Sequence, residues 1–310
     1  MPEALETADF LSAKHYNATL TRVVRSNPGL WIVRILPDRG RLQFIPGQYT
    51  TLGLGTWEPR VEGAQEETPA PGQRARLIQR AYSFSHPVLR EDGARLLEPA
   101  EVDFHEFYIT LVLQGSPARP PALTPRLFRL EEGRRLFVGE RATGNYTLAP
   151  VRPDDDVVFA ATGTGEAPHN AMIWELLRRG HRGRIVSIVC VRSAPDLGYR
   201  GLHERLAALF PHTRSFLLTT REPRDAGGKV YIQDFLASGE LERQLGWDLD
   251  PRRTHVYLCG NPAMIGLPRL HEGKPVYPQP RGMFEVLETR GFPADYKKHA
   301  LGRIHFEEYW

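Results

Sequence analysis

The stretch Val157-Val158-Phe159-Ala160-Ala161-Thr162-Gly163-Thr164-Gly165-Glu166-Ala167-Pro168 decides the fold of the second half of the chain. Five apolar residues form a short strand run that ends in a glycine-rich turn. A helical stretch follows from Ala167 to Arg179, closed by Gly180. Pro168 suits a first helical turn, where its missing N–H costs nothing. Glycines there let the backbone approach a phosphate, and the helix N-terminus offers N–H donors and a positive dipole end. The third glycine of the usual dinucleotide fingerprint is absent. Taken alone, Gly163-Thr164-Gly165 reads either as a phosphate-binding loop or as a tight strand–helix turn.

Downstream the same alternation continues. Strands are expected at Arg184 to Val191, Ser215 to Thr219, His255 to Cys259 and Arg303 to Phe306. Helices are expected at Leu202 to Phe210, Ile232 to Ala237 and Gly282 to Arg290. Strands alternating with helices mean a parallel sheet covered on both faces. In such a sheet the strand C-termini line the ligand crevice. Two of these ends carry cations, Val191-Arg192 and Thr219-Thr220-Arg221, and Lys229 follows eight residues later. Converging cations suit the 2′-phosphate of an NADP-type nucleotide, since Arg grips phosphate bidentately. Arginine outnumbers lysine 35 to 5, so each of the three also reads as an ordinary solvated cation. The fourth strand runs into Cys259-Gly260-Asn261-Pro262 at the crevice edge. A strand cysteine is usually an inert core residue, but this position also suits a functional one.

Upstream, from Asn17 to Pro150, the pattern is mostly strand. Runs stand at Leu30 to Leu36, Gln48 to Leu54, Arg80 to His86, Phe104 to Leu113 and Leu136 to Gly139, with one short helix expected at Leu123 to Leu130. Short strands between turn signals indicate an antiparallel barrel or sandwich. Glu58 to Gln73, rich in Pro, Gly and Glu, reads as an exposed, mobile loop. In Arg80-Ala81-Tyr82-Ser83, alternation puts Arg80 and Tyr82 on one strand face. A cation beside an aromatic ring suits a flavin nucleotide, with Arg on the diphosphate and Tyr against the ring system. An ordinary strand with an exposed Arg fits as well. The first 16 residues read as a tail or a short helix.

The chain has 310 residues, enough for two domains. It is 41% hydrophobic and 25% charged, which excludes a wholly disordered or fibrous chain. Two cysteines, Cys190 and Cys259, exclude a disulfide scaffold and a four-thiolate iron–sulfur cluster. A net charge of +3 gives no argument for nucleic acid. No apolar run approaches the roughly 20 residues of a membrane span. Met1 to Phe10, with Glu3, Glu6 and Asp9, does not read as a signal peptide. The expectation is a cytoplasmic protein with no membrane or nucleic-acid partner, and a monomer.

The combination Arg80-Ala81-Tyr82-Ser83, Gly163-Thr164-Gly165-x-Ala167-Pro168 and Cys259-Gly260-Asn261-Pro262 resembles the ferredoxin–NADP(+) reductase family. The closing Glu307-Glu308-Tyr309-Trp310 resembles its bacterial branch. The likeness covers roughly residues 17 to 310, with the motifs in order. It implies an antiparallel β-barrel FAD-binding domain (17–150) after an N-terminal extension (1–16), then an α/β parallel-sheet NADP-binding domain (151–310). It further implies that Arg80 holds the FAD diphosphate, that Tyr82 stacks on the isoalloxazine, and that Ser83 lies near the reactive nitrogen. Ala81 falls in the same FAD motif. Tyr108 and the segment Ala122, Leu123 and Thr124 fall where the family makes further FAD contacts. Thr162, Gly163, Thr164 and Gly165 fall in the loop near both cofactors, and Arg192, Arg221 and Lys229 at the 2′-phosphate positions. Cys259 falls near the hydride-transfer locus, Glu307 fits a carboxylate linked to proton and electron transfer, and Tyr309 and Trp310 are expected to cover the flavin or its adenine.

The implied activity is hydride transfer between NADPH and FAD, then single-electron exchange with ferredoxin or flavodoxin. Rival readings are a reductase component for an oxygenase or another acceptor, an NAD(P)H-dependent flavin or quinone reductase, and a non-catalytic flavin- or nucleotide-binding module. Glu166 departs from the family pattern: a carboxylate there would repel a dinucleotide phosphate unless it points away. The stretches 58–73 and 266–281 look inserted, and both are expected near the partner surface. Arg126, Arg129, Lys297, Lys298 and Arg303 are candidates for steering an acidic carrier protein.

Overall fold

A computed structural model describes residues 8–67, 75–222, 229–296 and 302–309. The chain divides into two compact units. One holds residues up to 86 together with 98–144; the other holds 87–97 with 145–310.

The first unit begins with α1 (Ala8–His15), which packs ahead of the strands β1 (Ala18–Asn27), β2 (Leu30–Pro37), β3 (Tyr49–Gly55), β4 (Leu77–Ser83) and β5 (His105–Thr110). The short helix α2 (Thr124–Leu127) and strand β6 (Arg135–Val138) complete it. The sheet order is β4-β3-β6-β1-β2-β5, and every pair in it is antiparallel. The Ser85 N–H, just beyond β4, donates to the Glu106 carbonyl of β5 at 2.8 Å. That bridge ties the two ends of the sheet together at one point, in keeping with the expected barrel. Leu52, Leu54, Phe84, Phe107 and Leu136 are fully buried inside. Leu123, Leu127 and Phe128 join the same core, and Phe128 stacks on Trp31 at 4.2 Å.

β1 was not singled out by its sequence, and a bulge explains why. The register with β2 shifts between Leu20 and Arg22, so the inward residues Ala18, Leu20 and Val23 are spaced two and then three apart. A bulge breaks the period of two on which strand recognition depends. The described part of the 58–73 segment, expected to be exposed, is tied to the barrel at several points and is half-buried over much of its length. Glu58 accepts a hydrogen bond from the Tyr16 hydroxyl at 2.8 Å, and the Val61 N–H donates to Pro125. The Gln65 N–H donates to Leu113, and Glu67 pairs with Arg126 at 2.8 Å. Residues 68–73 of that segment lie outside the described residues.

The second unit runs β7 (Asp156–Thr162), α3 (Glu166–Arg178), β8 (Ile185–Val191), α4 (Arg200–Leu209), β9 (Thr213–Thr219), α5 (Ile232–Ala237), α6 (Glu240–Leu245) and β10 (Thr254–Gly260). It continues through α7 (Pro262–Ile265), a small hairpin β11 (Arg269–His271) and β12 (Lys274–Val276), α8 (Met283–Thr289) and β13 (Ile304–Glu308). The large sheet is parallel, in the order β13-β10-β7-β8-β9. From β7 the chain builds outward through β8 and β9, then crosses to β10 and β13 on the other side. The C-termini of β7 and β10 therefore flank the topological switch point, where open α/β sheets bind ligands. Alternate residues feed two cores: Val256 and Leu258 of β10 face one, and Tyr257 and Cys259 face the other.

Residues 87–97 fold onto this second unit as a small hairpin. Leu89 pairs with Leu96, and the Trp174 indole of α3 donates to the Leu97 carbonyl at 2.8 Å.

Candidate active site

In the second unit the two strand ends at the switch point interlock. The Asn261 N–H donates to the Thr162 hydroxyl at 2.7 Å. Gly165 packs so closely on β10 that a Cβ there would stand 2.3 Å from the Cys259 carbonyl oxygen. Gly260, at φ +121°, is locked reciprocally: a Cβ there would meet the Thr162 hydroxyl oxygen at 2.3 Å. Gly163, at φ +54°, faces open space. The two glycines of the motif thus do different jobs. One permits close strand–strand approach, and the other leaves room for something to approach the turn and the N-terminus of α3.

Glu166 stands in the first turn of α3 but is 2% exposed. Its carboxylate lies 2.6 Å from His203 Nε2, and His203 Nδ1 lies 3.0 Å from the Ser215 hydroxyl. The side chain is therefore turned into the contact with α4 and β9, away from the Gly163 turn. The expected conflict with an anion does not arise, while the charge still sits favourably at the positive end of the helix.

At the β8 and β9 ends, ladder pairing continues past the strands. The Arg221 N–H donates to the Arg192 carbonyl at 2.8 Å, which sets these two residues side by side. Arg192 is largely exposed and touches Asp196 at 3.3 Å. Lys229 is exposed, and the next residue's carbonyl, that of Val230, lies 3.8 Å from the Cys190 sulfur of β8. Main-chain contacts thus bring all three expected cations to the ends of β8 and β9.

Cys259 pairs in register with Ala161 on one side and Glu307 on the other. Cys259 is completely buried. Tyr309 packs against the same core, its N–H donating to the Gly260 carbonyl at 2.9 Å. Behind Cys259 lies a pair that the sequence did not reveal: the Tyr146 hydroxyl sits 2.8 Å from His169 Nε2, both buried. Burial raises the Tyr146 hydroxyl well above its ordinary range, and Cys259, Tyr257, Tyr309 and Glu307 add to the shift. Burial likewise lowers His169 to about 3, so its ring is neutral. Trp310 lies outside the described residues, as do Lys297 and Lys298.

In the first unit Arg80 and Tyr82 share a face of β4, opposite Leu52 and Thr50 of β3. Arg80 is exposed, and its guanidinium donates to the Gln79 carbonyl at 2.8 Å. Ala81 is exposed on the other face. Burial raises the Tyr82 hydroxyl above its ordinary range, and the nearby Arg80 charge opposes that shift. The Ser85–Glu106 bridge brings buried Ser83 and buried Tyr108 to the same seam of the barrel. Ala122 and Leu123 lead into α2; the Ala122 carbonyl accepts from Arg126, and the Thr124 hydroxyl is engaged with the Val112 main chain.

Two of the candidate steering cations are reassigned. Arg126 is 4% exposed, and its guanidinium is shared by Glu67 and the Ala122 carbonyl. Arg303 precedes β13 at the N-terminal edge of the sheet, opposite the crevice, where Asp155, His255 and the Arg252 carbonyl hold it. Arg129 is exposed.

Residues 159–269 match the family model described as an oxidoreductase NAD-binding domain. With the doubly wound sheet, this defines the class as an oxidoreductase whose nicotinamide-nucleotide domain follows an antiparallel barrel in the chain. A flavodoxin/ferredoxin–NADP reductase of Escherichia coli is 28% identical over 225 residues, covering 72% of this chain and 77% of that protein. A ferredoxin–NADP reductase of Pseudomonas aeruginosa is 26% identical over 272 residues, covering 84% and 86%. The fold is shared with a ferredoxin NADP+ reductase from Neisseria gonorrhoeae, solved with bound FAD and NADP, at a TM-score of 0.66 and 23% identity over 95% of this chain and 98% of that one. Over most of its length the chain is thus similar to the ferredoxin/flavodoxin–NADP reductases, flavoprotein oxidoreductases that use a nicotinamide nucleotide.

Proposed function

We propose that the protein binds FAD on the first unit and NADP(H) on the second, and exchanges electrons with a ferredoxin or flavodoxin. The observation that carries this reading is the Arg192–Arg221 pair, held side by side beyond the ends of β8 and β9. Two exposed arginines on paired main chain suit a 2′-phosphomonoester, which NADP carries and NAD lacks. Lys229 adds a third charge. The Gly163 turn, open to approach, takes the pyrophosphate at the N-terminus of α3.

The residues of the first unit fit FAD in the same way. Arg80 is exposed and available to a diphosphate, and Tyr82 presents a partly sheltered ring on the same face. When bound, the flavin supplies the redox chemistry, accepting a hydride and releasing electrons singly. The protein's own work is positioning. Thr162 and Gly165 fix the β7 turn against Cys259, and the neutral Tyr146–His169 pair closes the floor beneath it. Ser83, Cys259 and Glu307 are the residues proposed to touch the reacting atoms, with Tyr309 as cover. Because Cys259 is buried, a nicotinamide reaching it requires the packing around it to open.

The test is one anaerobic titration of the purified protein with NADH and then NADPH, followed in the visible spectrum. A flavin spectrum bleached preferentially by NADPH supports the reading. Equal bleaching by NADH returns Arg192, Arg221 and Lys229 to surface charge. Retained flavin that neither nucleotide reduces would favour a non-catalytic binding module.

A further inference from the structure

The segment between α7 and α8 leaves the second unit and returns at a single point. Gly266 and Gly282 pack backbone to backbone: a Cβ on Gly266 would stand 2.6 Å from the Gly282 Cα, and one on Gly282 would stand 2.4 Å from the Gly266 Cα. This neck follows Cys259 by one short helix, so the excursion springs from the crevice edge of the sheet. Leu267 and Tyr277 anchor its base against the core, and the Tyr277 hydroxyl donates to Glu288 at 2.8 Å.

Beyond these anchors the hairpin β11–β12 projects freely. All eight residues from Arg269 to Val276 are exposed, with Leu270 at 51% and Val276 at 55%. Isolated two-stranded hairpins are marginal in water, and exposed strands with apolar side chains invite pairing with other proteins. The register sorts the side chains. Arg269 opposes Val276 and His271 opposes Lys274, so these four share one face, while Leu270 and Pro275 share the other. That face therefore carries two cations, Arg269 and Lys274, at diagonal corners, with His271 and Val276 at the other two, and an acid, Glu272, in the turn.

We infer that this hairpin docks an acidic electron-carrier protein, with Arg269 and Lys274 meeting its carboxylates and Val276, on the same face, packing beside them. The inference rests on the reductase activity proposed above and names a surface that meets the partner. Two cations on one face of a protruding hairpin attract an acidic partner before contact, and the exposed apolar residue beside them gains from burial afterwards. The arrangement raises the association rate more than the affinity, and salt weakens it.

The experiment compares wild type with Arg269→Glu/Lys274→Glu. A control pair, Arg214→Glu/Arg252→Glu, makes the same net-charge change at exposed cations by the N-terminal ends of β9 and β10. Each protein is assayed with NADPH against ferricyanide and against an acidic ferredoxin at two ionic strengths. The hairpin variant is expected to keep the ferricyanide rate within about twofold and to lose about tenfold or more in kcat/KM for ferredoxin at low salt. The difference should shrink at high salt, and the control pair should behave as wild type. A ferredoxin rate unchanged in the hairpin variant, or lowered equally in the control, overturns the inference. Failure of wild type to reduce ferricyanide with NADPH would instead refute the proposed reductase activity.

Discussion

Gly165→Ala tests the interlocked strand ends directly. Its backbone already has ordinary helical angles, φ −58° and ψ −14°, so alanine causes no conformational strain there. The obstacle is contact. The new Cβ would stand 2.3 Å from the Cys259 oxygen, 2.6 Å from its carbonyl carbon and 2.9 Å from the Gly260 nitrogen, where real Cβ contacts essentially never fall below 3.0 Å. All three neighbours are main chain at the end of a central strand, and none can rotate aside. The turn after β7 must therefore move from β10 by about 0.7 Å, which lengthens the 2.7 Å hydrogen bond from Asn261 to Thr162. Overpacking of this kind costs about 1–3 kcal/mol, or about 3–9 °C in Tm for a unit of this size.

The same displacement falls against Cys259, one of the groups proposed to touch the reacting atoms. A 1 Å misplacement can cost about 10²-fold in rate, so kcat for NADPH–ferricyanide turnover is expected to fall by about tenfold or more. Gly201→Ala is the comparison. It lies in α4, and a Cβ there would meet nothing within 4 Å, so its Tm is expected to hold or rise slightly. Thermal melts and steady-state kinetics on both variants decide the matter. A Gly165→Ala protein with wild-type Tm and turnover would refute the close approach of these strand ends.

Other expectations follow from the same geometry. Arg192→Ala/Arg221→Ala should lower kcat/KM for NADPH by about 10²-fold, since each charge-assisted contact contributes about 1.5–3 kcal/mol, while NADH changes by less than about threefold; equal losses would refute the phosphate assignment. Glu166→Ala should leave buried His203 without its carboxylate partner and lower stability by about 1–3 kcal/mol in urea titrations, with the nucleotide KM unchanged; a raised KM and unchanged stability would mean that Glu166 faces the nucleotide. His86, His105, His169 and His305 are held at about 3 and His255 at about 4, chiefly by burial. Their folded values lie below the unfolded value near 6.5, so the stability they contribute is complete above that pH and is lost as pH falls toward 3–4, at no more than about 1.4 kcal/mol per pH unit for each group. Tm should be flat above about pH 7 and fall steeply below about 6.5; a constant Tm down to pH 5 would show that these rings are not buried neutral.

The parallel sheet was legible because each strand is an apolar run followed by a helix of a different period. Its order was not, since β10 and β7 become neighbours only through a crossover of about a hundred residues. β1 was hidden by its bulge, and the hairpin at 269–276 by prolines and by the absence of any buried face. The chemistry divides in the same way. Arg192 and Arg221 could be read from their place at two strand ends, because parallel register carries that information. Arg126 could not, because the Glu67 that neutralises it lies 59 residues away. Glu166 looked like an obstacle from sequence alone, and only the positions of His203 and Ser215 show where it points. Tyr146 and His169 belong to a loop and a helix with no shared pattern, and meet only when α3 packs on the sheet.

On the proposed reading, the two ends of the nucleotide site differ in stiffness for a physical reason. The β7 and β10 ends are locked main chain to main chain by Gly165, Gly260 and the Thr162 hydroxyl. The β8 and β9 ends carry long, exposed side chains, with only their main chains paired. Charge attraction falls off slowly with distance, so a guanidinium can grip a phosphate from several positions and tolerate its own motion. Hydride transfer needs reacting atoms at contact distance and in line, so error there is amplified into rate. A site with both demands gains nothing from stiff arginines and loses much from a loose turn. That asymmetry predicts opposite signatures for damage at the two ends: substitutions at Arg192 or Arg221 should act mainly on KM and on the choice between NADPH and NADH, whereas substitutions at Gly165 or Thr162 should act mainly on kcat and slow both nucleotides alike.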